Sequence, residues 1–327
     1  MELRTTFKIT PSQKKIGYDD NVMFIGSCFA SSIGSKLEMG RMPVMINPAG
    51  AVFNPVSVRN TLDIITSGRE FVQDDLLNHN GTYVSFSHYT DFSSENSLEV
   101  LEKINRRSKE AFDFLKNSQF LFITFGTARV YKWKETGIVV SNCHKIPSDH
   151  FEAKLLTVNE IVSLWSSQLD KLRALFPLLK IVFTISPIRH WKDGAHGNQV
   201  SKSILFLAVE ELLKHSISPQ YFPAYELVMD DLRDYRFYND DMLHPSSMAI
   251  DYIWDLFSGC YIDSKANSIW TEIVKITKAR NHHLNTDSRN KIEKFAERML
   301  KQISTVESKA PGLNLSDDRN YFLSLLK

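Results

Sequence analysis

Three short apolar runs constrain the fold of this chain more than any other feature of its sequence. They occupy residues 21–25, 120–125 and 179–185, and each has the length of a single strand. A continuous apolar run of that length is typical of a strand covered on both faces. Amphipathic helical patterns, such as those over residues 97–114 and 157–175, separate the runs. This alternation predicts a mainly parallel sheet between two layers of helices, which is a three-layer α/β/α sandwich.

Composition and charge exclude several classes of protein. With 43% hydrophobic and 24% charged residues, the chain has the make-up of a globular protein. Its 39 basic and 38 acidic residues leave no basic excess, so we expect no nucleic-acid partner. No apolar run approaches the roughly 20 residues of a membrane span. The N-terminus has no apolar signal core and the three cysteines form no disulfide framework, so we expect a cytoplasmic protein. Composition does not predict the oligomeric state.

The C-terminal part of the chain differs from the rest. From residue 267 onward it is rich in Lys, Arg and Glu and carries no buried-strand signal. We therefore predict a main α/β domain over residues 1–265 and a helical extension over 266–327. Within the extension we expect one or two peripheral helices over 268–303 and a loosely packed tail over 308–327.

Two nucleophilic side chains stand together after the first apolar run, in the turn Gly26-Ser27-Cys28. In parallel sheets, ligands bind beyond the carboxyl ends of the strands, so this turn is a candidate site. A helix that begins here offers N–H groups that lower the pKa of a thiol and stabilise an oxyanion. We therefore expect a Cys28 thiol pKa below the ordinary value of about 8.5. A structural cysteine beside a helix-capping serine is the alternative interpretation.

A second motif lies far downstream, where Asp241 and His244 are separated by two residues just before a predicted helix. This spacing lets the carboxylate hold one tautomer of the imidazole while the other ring nitrogen faces a nucleophile. A solvated acidic loop is the alternative. Together, a nucleophile after the first strand and this pair near the end of the α/β region favour a Cys/Ser-His-Asp triad that performs acyl transfer.

Six separated segments extend the pattern: FIGSCFA, NPAGAVFNP, FITFGTARVY, SNCHKIP, SPIRHWKDG and DYRFYNDDMLHPS. In this order, over roughly residues 1–260, they resemble the GSCFA-domain family. That family is grouped with the SGNH/GDSL hydrolase-like superfamily, whose fold is flavodoxin-like. The resemblance implies a mainly parallel sheet between helices and a serine or cysteine nucleophile.

The resemblance also implies roles for individual residues. Overlaying Gly26, Ser27 and Cys28 on the Gly-Asp-Ser block of the superfamily makes Cys28 the nucleophile, and Ser27 takes that role if the turn is one residue tighter. The second block implies that Gly50 contributes an oxyanion N–H. The fifth block is matched by Asp241 and His244.

The third block of the superfamily is Gly-x-Asn, and this chain departs from it. Gly126, Thr127 and Ala128 stand at those positions, so the oxyanion asparagine is missing. Loss of one such donor costs on the order of 10²–10³ in turnover. Thr127, Asn142 and His144 are the candidates to replace it.

Further polar residues are candidates for substrate binding. Arg189 and His190 follow the third apolar run, and Arg189 suits a carboxylate or a phosphate, with a loop salt bridge as its alternative role. His144 could donate to a sugar or acyl carbonyl or cap a turn, and His88 could line the pocket. His282 and His283 lack partners at metal-ligand spacing, so we expect no metal and no bound cofactor.

The sequence thus favours an SGNH-like hydrolase of ester bonds, acting on a small-molecule or glycan acyl substrate such as an envelope precursor. Two alternatives remain open. One is an acyltransferase that moves an acyl group from a thioester donor, such as acyl-CoA, to a hydroxyl. The other is a non-catalytic binding module on the same fold.

Overall fold

The computed structural model of the chain describes residues 4–281 and 288–327. Its strands are β1 (Asn21–Gly26), β2 (Val44–Ile46), β3 (Leu77–His79), β4 (Thr82–Val84), β5 (Ser118–Phe125), β6 (Arg129–Trp133), β7 (Val139–Val140), β8 (Phe151–Leu155), β9 (Lys180–Ile185) and β10 (Gln220–Tyr221). Its α-helices are α1 (Cys28–Met39), α2 (Pro55–Ser67), α3 (Ser97–Lys116), α4 (Val158–Leu175), α5 (Gly194–Leu213), α6 (Ala224–Glu226), α7 (Ser247–Tyr261), α8 (Ser264–Asn281), α9 (Arg289–Lys309) and α10 (Ser316–Ser324).

The central sheet has five strands in the order β10-β9-β5-β1-β2. Every pairing in it is parallel. Strand β1 lies between β2 and β5, which are the next two strands of this sheet along the chain. The chain therefore reverses its winding direction at β1 and β5. This is the doubly wound, flavodoxin-like order, and ligands of such sheets bind where the winding reverses.

Both faces of the sheet are covered. Met23 and Ile25 of β1 belong to a core that also contains buried residues of α2, α3, α4 and α5. Phe24 points to the opposite face, where it is in register with Ile46 of β2. Gly34 of α1 packs closely on the Ile46 side chain, so α1 covers that second face. The predicted three-layer α/β/α sandwich is therefore confirmed.

The chain divides into two compact units. The first comprises Met1–Ile9, Asn21–Gly34 and Val44–Trp254, and the second comprises Thr10–Asp20, Ser35–Pro43 and Asp255–Lys327. The second unit therefore takes in two N-terminal segments that the sequence places in the domain 1–265. Within this unit, the Ile16 N–H donates to the carbonyl of Tyr261 at 2.7 Å, and the Trp270 indole donates to the carbonyl of Lys36 at 2.6 Å. The position of the boundary near 265 stays a prediction.

The second unit has its own core, formed by α8, α9 and α10. Ile273, Ile303 and Phe322 are fully buried in it. The expectation of a loosely packed tail over 308–327 is wrong, because α10 turns its apolar side inward. His282 and His283 lie outside the described residues.

Candidate functional site

The turn after β1 depends on glycine. Gly26 has φ +145°, and a Cβ placed on it would lie 2.2 Å from the carbonyl oxygen of Thr124 on β5. No side chain fits in that gap. Gly26 therefore lets β1 and β5 run side by side to the point where the chain turns into α1.

Ser27 and Cys28 have different surroundings. Ser27 is 2% exposed, and its hydroxyl accepts from the Phe29 N–H at 3.4 Å in the manner of a helix cap. Cys28, the first residue of α1, is half-buried and forms no disulfide. Burial raises the pKa of the Cys28 thiol. The expectation of a lowered thiol pKa is wrong, because desolvation of the thiol outweighs the backbone hydrogen bond that lowers its pKa.

The sequence did not reveal that Asn47 holds this turn. Its Oδ1 accepts from the Gly26 N–H at 2.8 Å, and its Nδ2 donates to the Ser31 hydroxyl of α1 at 2.9 Å. Asn47 has φ +44°, a conformation that Asn tolerates better than most residues. The sequence signal that could have identified Asn47 is an asparagine in a turn directly after a strand. The Gly50 N–H donates to the Asn47 carbonyl at 2.7 Å, so this proposed oxyanion donor is engaged within the loop.

The residues after Gly50 connect the ends of β1 and β5. The Val52 N–H donates to the Gly26 carbonyl at 3.0 Å. The Phe53 carbonyl accepts from the N–H groups of Gly126 at 2.7 Å and Thr127 at 3.0 Å. The loop after β2 thus crosses the sheet edge at the point where the winding reverses.

Asp241 and His244 meet as their spacing predicts. Asp241 Oδ2 lies 2.6 Å from His244 Nδ1. Its Oδ1 accepts from the N–H groups of Leu243 and His244, each at 2.9 Å. These backbone hydrogen bonds from His244 and Leu243, together with that from the imidazole, lower the pKa of Asp241 to about 2. An ionised Asp241 therefore binds Nδ1 and leaves Nε2 of His244 as the free ring nitrogen.

The contact between Asp241 and His244 is one of the two contacts that the proposed triad needs. Among the described residues, the ring of His244 makes its one hydrogen bond to Asp241. Neither Ser27 nor Cys28 forms a hydrogen bond with that ring. The closure of the triad stays a prediction.

Two other proposed oxyanion donors are engaged elsewhere. Thr127 is 7% exposed, and its hydroxyl lies 3.0 Å from the Ser201 hydroxyl of α5. Asn142 accepts from the His144 N–H at 2.8 Å and donates to Thr90 at 3.5 Å. These contacts hold loops in place, and they lend no support to an oxyanion role, which stays a prediction for both residues.

His88 and His144 are buried together around Ser85. His88 Nδ1 lies 2.9 Å from the Ser85 hydroxyl, and His144 Nε2 lies 2.8 Å from the Ser85 carbonyl. Burial lowers the pKa of His144 and lowers that of His88 to about 4. Both therefore stay neutral near pH 7 and fasten the loop, and their contact with substrate stays a prediction.

Lys202 of α5 is the second residue that the sequence did not single out. It is fully buried, and its Nζ donates to the carbonyls of Gly126 at 2.7 Å and Ser186 at 2.6 Å. These carbonyls follow β5 and β9, so one ammonium joins two neighbouring strand ends. Burial, and secondly the charge of Arg189, lower the pKa of Lys202 to about 7.

His190 lies at the same edge of the sheet. Its Nε2 is 3.1 Å from where a Cβ on Gly126 would stand, and its ring contacts Phe53 edge-on at 5.7 Å between centroids. Burial, and secondly the charge of Lys202, lower the pKa of His190 to about 4. A neutral imidazole therefore covers the end of β5.

Arg189 lines a groove beside the Asp241 loop. The groove has a volume of about 460 Å³, and Asp241 and Leu243 form part of its wall. Arg189 Nη2 lies 3.5 Å from the Gln199 side chain, and its guanidinium is 5.8 Å from the centre of the Trp191 ring. The structure therefore places the predicted binding residue Arg189 next to the loop that carries His244.

The described part of the chain contains no cluster of three or more His, Cys, Asp or Glu side chains that could hold a metal ion. Over the same residues, no helix is long and apolar enough to cross a membrane.

The protein is a doubly wound α/β/α sandwich. The turn Gly26-Ser27-Cys28 follows its first strand, and Asp241 and His244 meet in a loop before α7. The family model of the GSCFA family matches residues 21–257, and the chain belongs to that family. No curated protein sequence matches it.

Among the solved structures that resemble the chain are the following two. One is from Streptococcus pneumonia and is described as a platelet activating factor; it has 12% identity and a TM-score of 0.38, over 74% of this chain and 83% of that one. The other is from Parabacteroides merdae ATCC 43184 and is described as a GDSL-like lipase; it has 12% identity and a TM-score of 0.38, over 77% of this chain and 98% of that one. Likenesses of this degree carry no inference about activity.

Proposed function

We propose that this protein is an SGNH-type hydrolase that cleaves ester bonds through a Cys28-His244-Asp241 triad. The observation that carries the proposal is the 2.6 Å contact between Asp241 Oδ2 and His244 Nδ1. It fixes the tautomer that leaves Nε2 able to accept a proton, which is the role of the imidazole in triad enzymes. An acylated glycan or envelope precursor is the substrate class that the family resemblance favours.

In the proposed reaction, His244 Nε2 takes the proton of the Cys28 thiol and the thiolate attacks the ester carbonyl. N–H groups in the first turn of α1 stabilise the oxyanion. The tetrahedral species collapses, the C–O bond breaks, and His244 protonates the leaving alkoxide. His244 then takes a proton from water and the hydroxide attacks the Cys28 thioester. The C–S bond breaks, His244 returns the proton to the Cys28 thiolate, and the acid is released.

Exposure favours Cys28 over Ser27 as the nucleophile. Ser27 is 2% exposed and caps α1, whereas Cys28 is half-buried at the first position of the helix. Since burial raises the pKa of the Cys28 thiol, a base is needed to generate the thiolate, and His244 is the proposed base.

The first test is hydrolysis of a small chromogenic acyl ester. We expect His244→Ala and Cys28→Ala each to lower kcat/KM by at least about 10³-fold, the scale at which triad members act. The matched control is His215→Ala, since His215 lies 3.4 Å from Asp170 in a second Asp–His contact. We expect this control to keep full activity.

Covalent trapping tests the nucleophile separately. An electrophilic acyl probe followed by peptide mapping should place the adduct on Cys28, and Cys143→Ala, which removes another half-buried thiol, should label normally. An adduct on Ser27 alone would reassign the nucleophile. No turnover together with no adduct in intact-mass spectra would reject the enzyme and favour a binding module.

One observation favours a second candidate function, an acyltransferase. The Gly50 N–H is bonded to Asn47 and the Thr127 hydroxyl lies on Ser201, so two of the expected oxyanion donors are engaged. A weaker oxyanion site suits an activated thioester donor such as acyl-CoA better than an ordinary ester. Acyl transfer from acyl-CoA to an added hydroxyl acceptor, faster than hydrolysis, would select this alternative.

A further inference from the structure

We infer that the groove beside the Asp241 loop binds an anionic oxyacid group of the substrate, held by Arg189. This inference rests on the proposed function, because it takes the groove to be the place where an acyl substrate binds. The charges around the groove favour an anion, and the size and lining of the groove favour a substrate.

Arg189 is a cation without a counterion. Among the described residues it forms no ion pair, and its side-chain hydrogen bond is the 3.5 Å contact with Gln199 Oε1, an uncharged amide oxygen. Its Nε is shielded from solvent and has no hydrogen-bond partner. A shielded polar group without a partner is costly unless a ligand supplies one.

The acidic side chains near the groove have partners other than Arg189. Asp230 lies 3.1 Å from Arg233, and Asp234 lies 2.8 Å from Arg236. Asp241 is bonded to His244. In the described part of the chain, none of these carboxylates pairs with Arg189, which leaves its guanidinium available to a ligand anion. Its planar guanidinium matches the two oxygens of a carboxylate or a phosphate.

The groove has the size and character of a ligand site. Its volume of about 460 Å³ falls within the usual range of roughly 300–1,000 Å³ for small-molecule sites. The side chains of Trp191, Tyr235 and Tyr238 form much of its wall, and the first two are more than half exposed, at 54% and 76%. Exposed aromatic side chains around one unpaired cation suit a ligand with an apolar or ring-shaped body and an acidic group.

The position of the groove links this ligand to the reaction. Asp241, Met242 and Leu243 line it, and the next residue is His244. A substrate whose acidic group contacts Arg189 thus lies along the loop that holds the proposed base. The inferred substrate class is an ester that carries a carboxylate or a phosphate away from the scissile bond.

The test compares two esters of equal length, the p-nitrophenyl monoester of glutaric acid and p-nitrophenyl valerate, which lacks the second carboxylate. We expect the native protein to have a kcat/KM about 10-fold or more higher for the anionic ester. Arg189→Gln should lose about 10- to 100-fold on the anionic ester and less than about 3-fold on the neutral one. Arg236→Gln, which removes a nearby cation that already has a partner, should change neither.

A third ester, with a phosphonate in place of the carboxylate, distinguishes the two anions. A higher kcat/KM for the phosphonate assigns the site to phosphate, and a lower one assigns it to carboxylate. Arg189→Lys keeps the charge without the planar fork and should retain an intermediate preference.

The outcomes separate this inference from the proposed function. Equal turnover of anionic and neutral esters by the native protein, or an equal loss on both in Arg189→Gln, would overturn the inference alone. Absence of turnover for every ester would overturn the proposed hydrolase. In that case, calorimetric binding of the matching anilides decides the inference: binding of the anionic anilide that Arg189→Gln weakens about 10-fold supports it, and equal binding of both anilides rejects it.

Discussion

Lys202 joins the loops that follow β5 and β9 through two carbonyls, those of Gly126 and Ser186. An ammonium group that is fully buried is costly, and this one has no carboxylate among its hydrogen-bond acceptors. The buried ammonium holds two strand ends of the site in fixed positions. Lys202 is therefore a positioning residue for the loop after β9, on which Arg189 and His190 lie.

The shifted pKa of Lys202 makes stability depend on pH. The pKa falls from 10.5 to about 7 on folding, so between these values the unfolded chain binds more protons than the folded one. The contribution of Lys202 to the free energy of unfolding therefore rises as the pH rises from about 7 towards 10.5. Urea unfolding near both ends of this window should show that rise in the native protein and not in Lys202→Met.

Lys109→Met is the control for this prediction, since Lys109 is exposed on α3. It should keep the pH slope of the native protein. A native slope in Lys202→Met would mean that Lys202 is charged throughout the window.

At this scale, local chemistry was predictable and long-range chemistry was not. Asp241 and His244 are three positions apart, so a single turn brings them together whatever the rest of the chain does. Lys202 lies 76 positions from Gly126, and a lysine in a helical pattern indicates a solvated face. Nothing in the local sequence separates such a lysine from an exposed one.

Helix α10 is the element whose packing the sequence misjudged. Phe322 is fully buried among residues of α8 and α9, whereas its neighbour Leu323 is 43% exposed. We expect Phe322→Ala to lower the free energy of unfolding of the second unit by about 3–5 kcal/mol, because it leaves a cavity. Leu323→Ala should cost about 0.5 kcal/mol. Chemical unfolding of each variant measures the difference, and similar costs for both would mean that α10 is not part of this core.

The predicted elements succeeded where the signal was local. The helical pattern over residues 157–175 corresponds to α4, which Thr157 and Glu160 begin with a capping box. The elements that the sequence did not indicate are either very short or held by long-range pairing. Strand β10 has two residues, too few for any alternation to show, and β8 pairs with β6 through contacts that only the folded chain provides.

For the whole molecule, the lowered pKa values of two histidines predict sensitivity to acid. The pKa values of His88 and His190 fall from 6.5 to about 4 on folding. Between these values the unfolded chain binds more protons, so the free energy of unfolding falls as the pH is lowered from about 6.5 to 4. His88→Gln should reduce that dependence, measured by urea unfolding at several pH values.

His196→Gln, at an exposed position in α5, serves as the matched control and should leave the dependence unchanged. If His88→Gln also leaves it unchanged, His88 does not titrate in this range.

The architecture as a whole followed from the sequence more fully than the site did. The three apolar runs became β1, β5 and β9, the three central strands of the five-stranded sheet, because strands buried on both faces must be apolar throughout. The meeting of loops at the sheet edge depends instead on single hydrogen bonds, such as that between Asn47 and Gly26. Patterns of apolar residues do not predict such hydrogen bonds.

The loop between β2 and α2 leaves little room for evolutionary change in its length. It is fastened to the end of β1 at Asn47 and Val52 and to the end of β5 at Phe53, so one inserted residue would break at least one of these attachments. Among the described residues, no hydrogen bond joins the hairpin turn between β6 and β7, near Gly137, to the central sheet. Natural relatives that use this site should therefore vary in length at the hairpin and keep the loop after β2 constant.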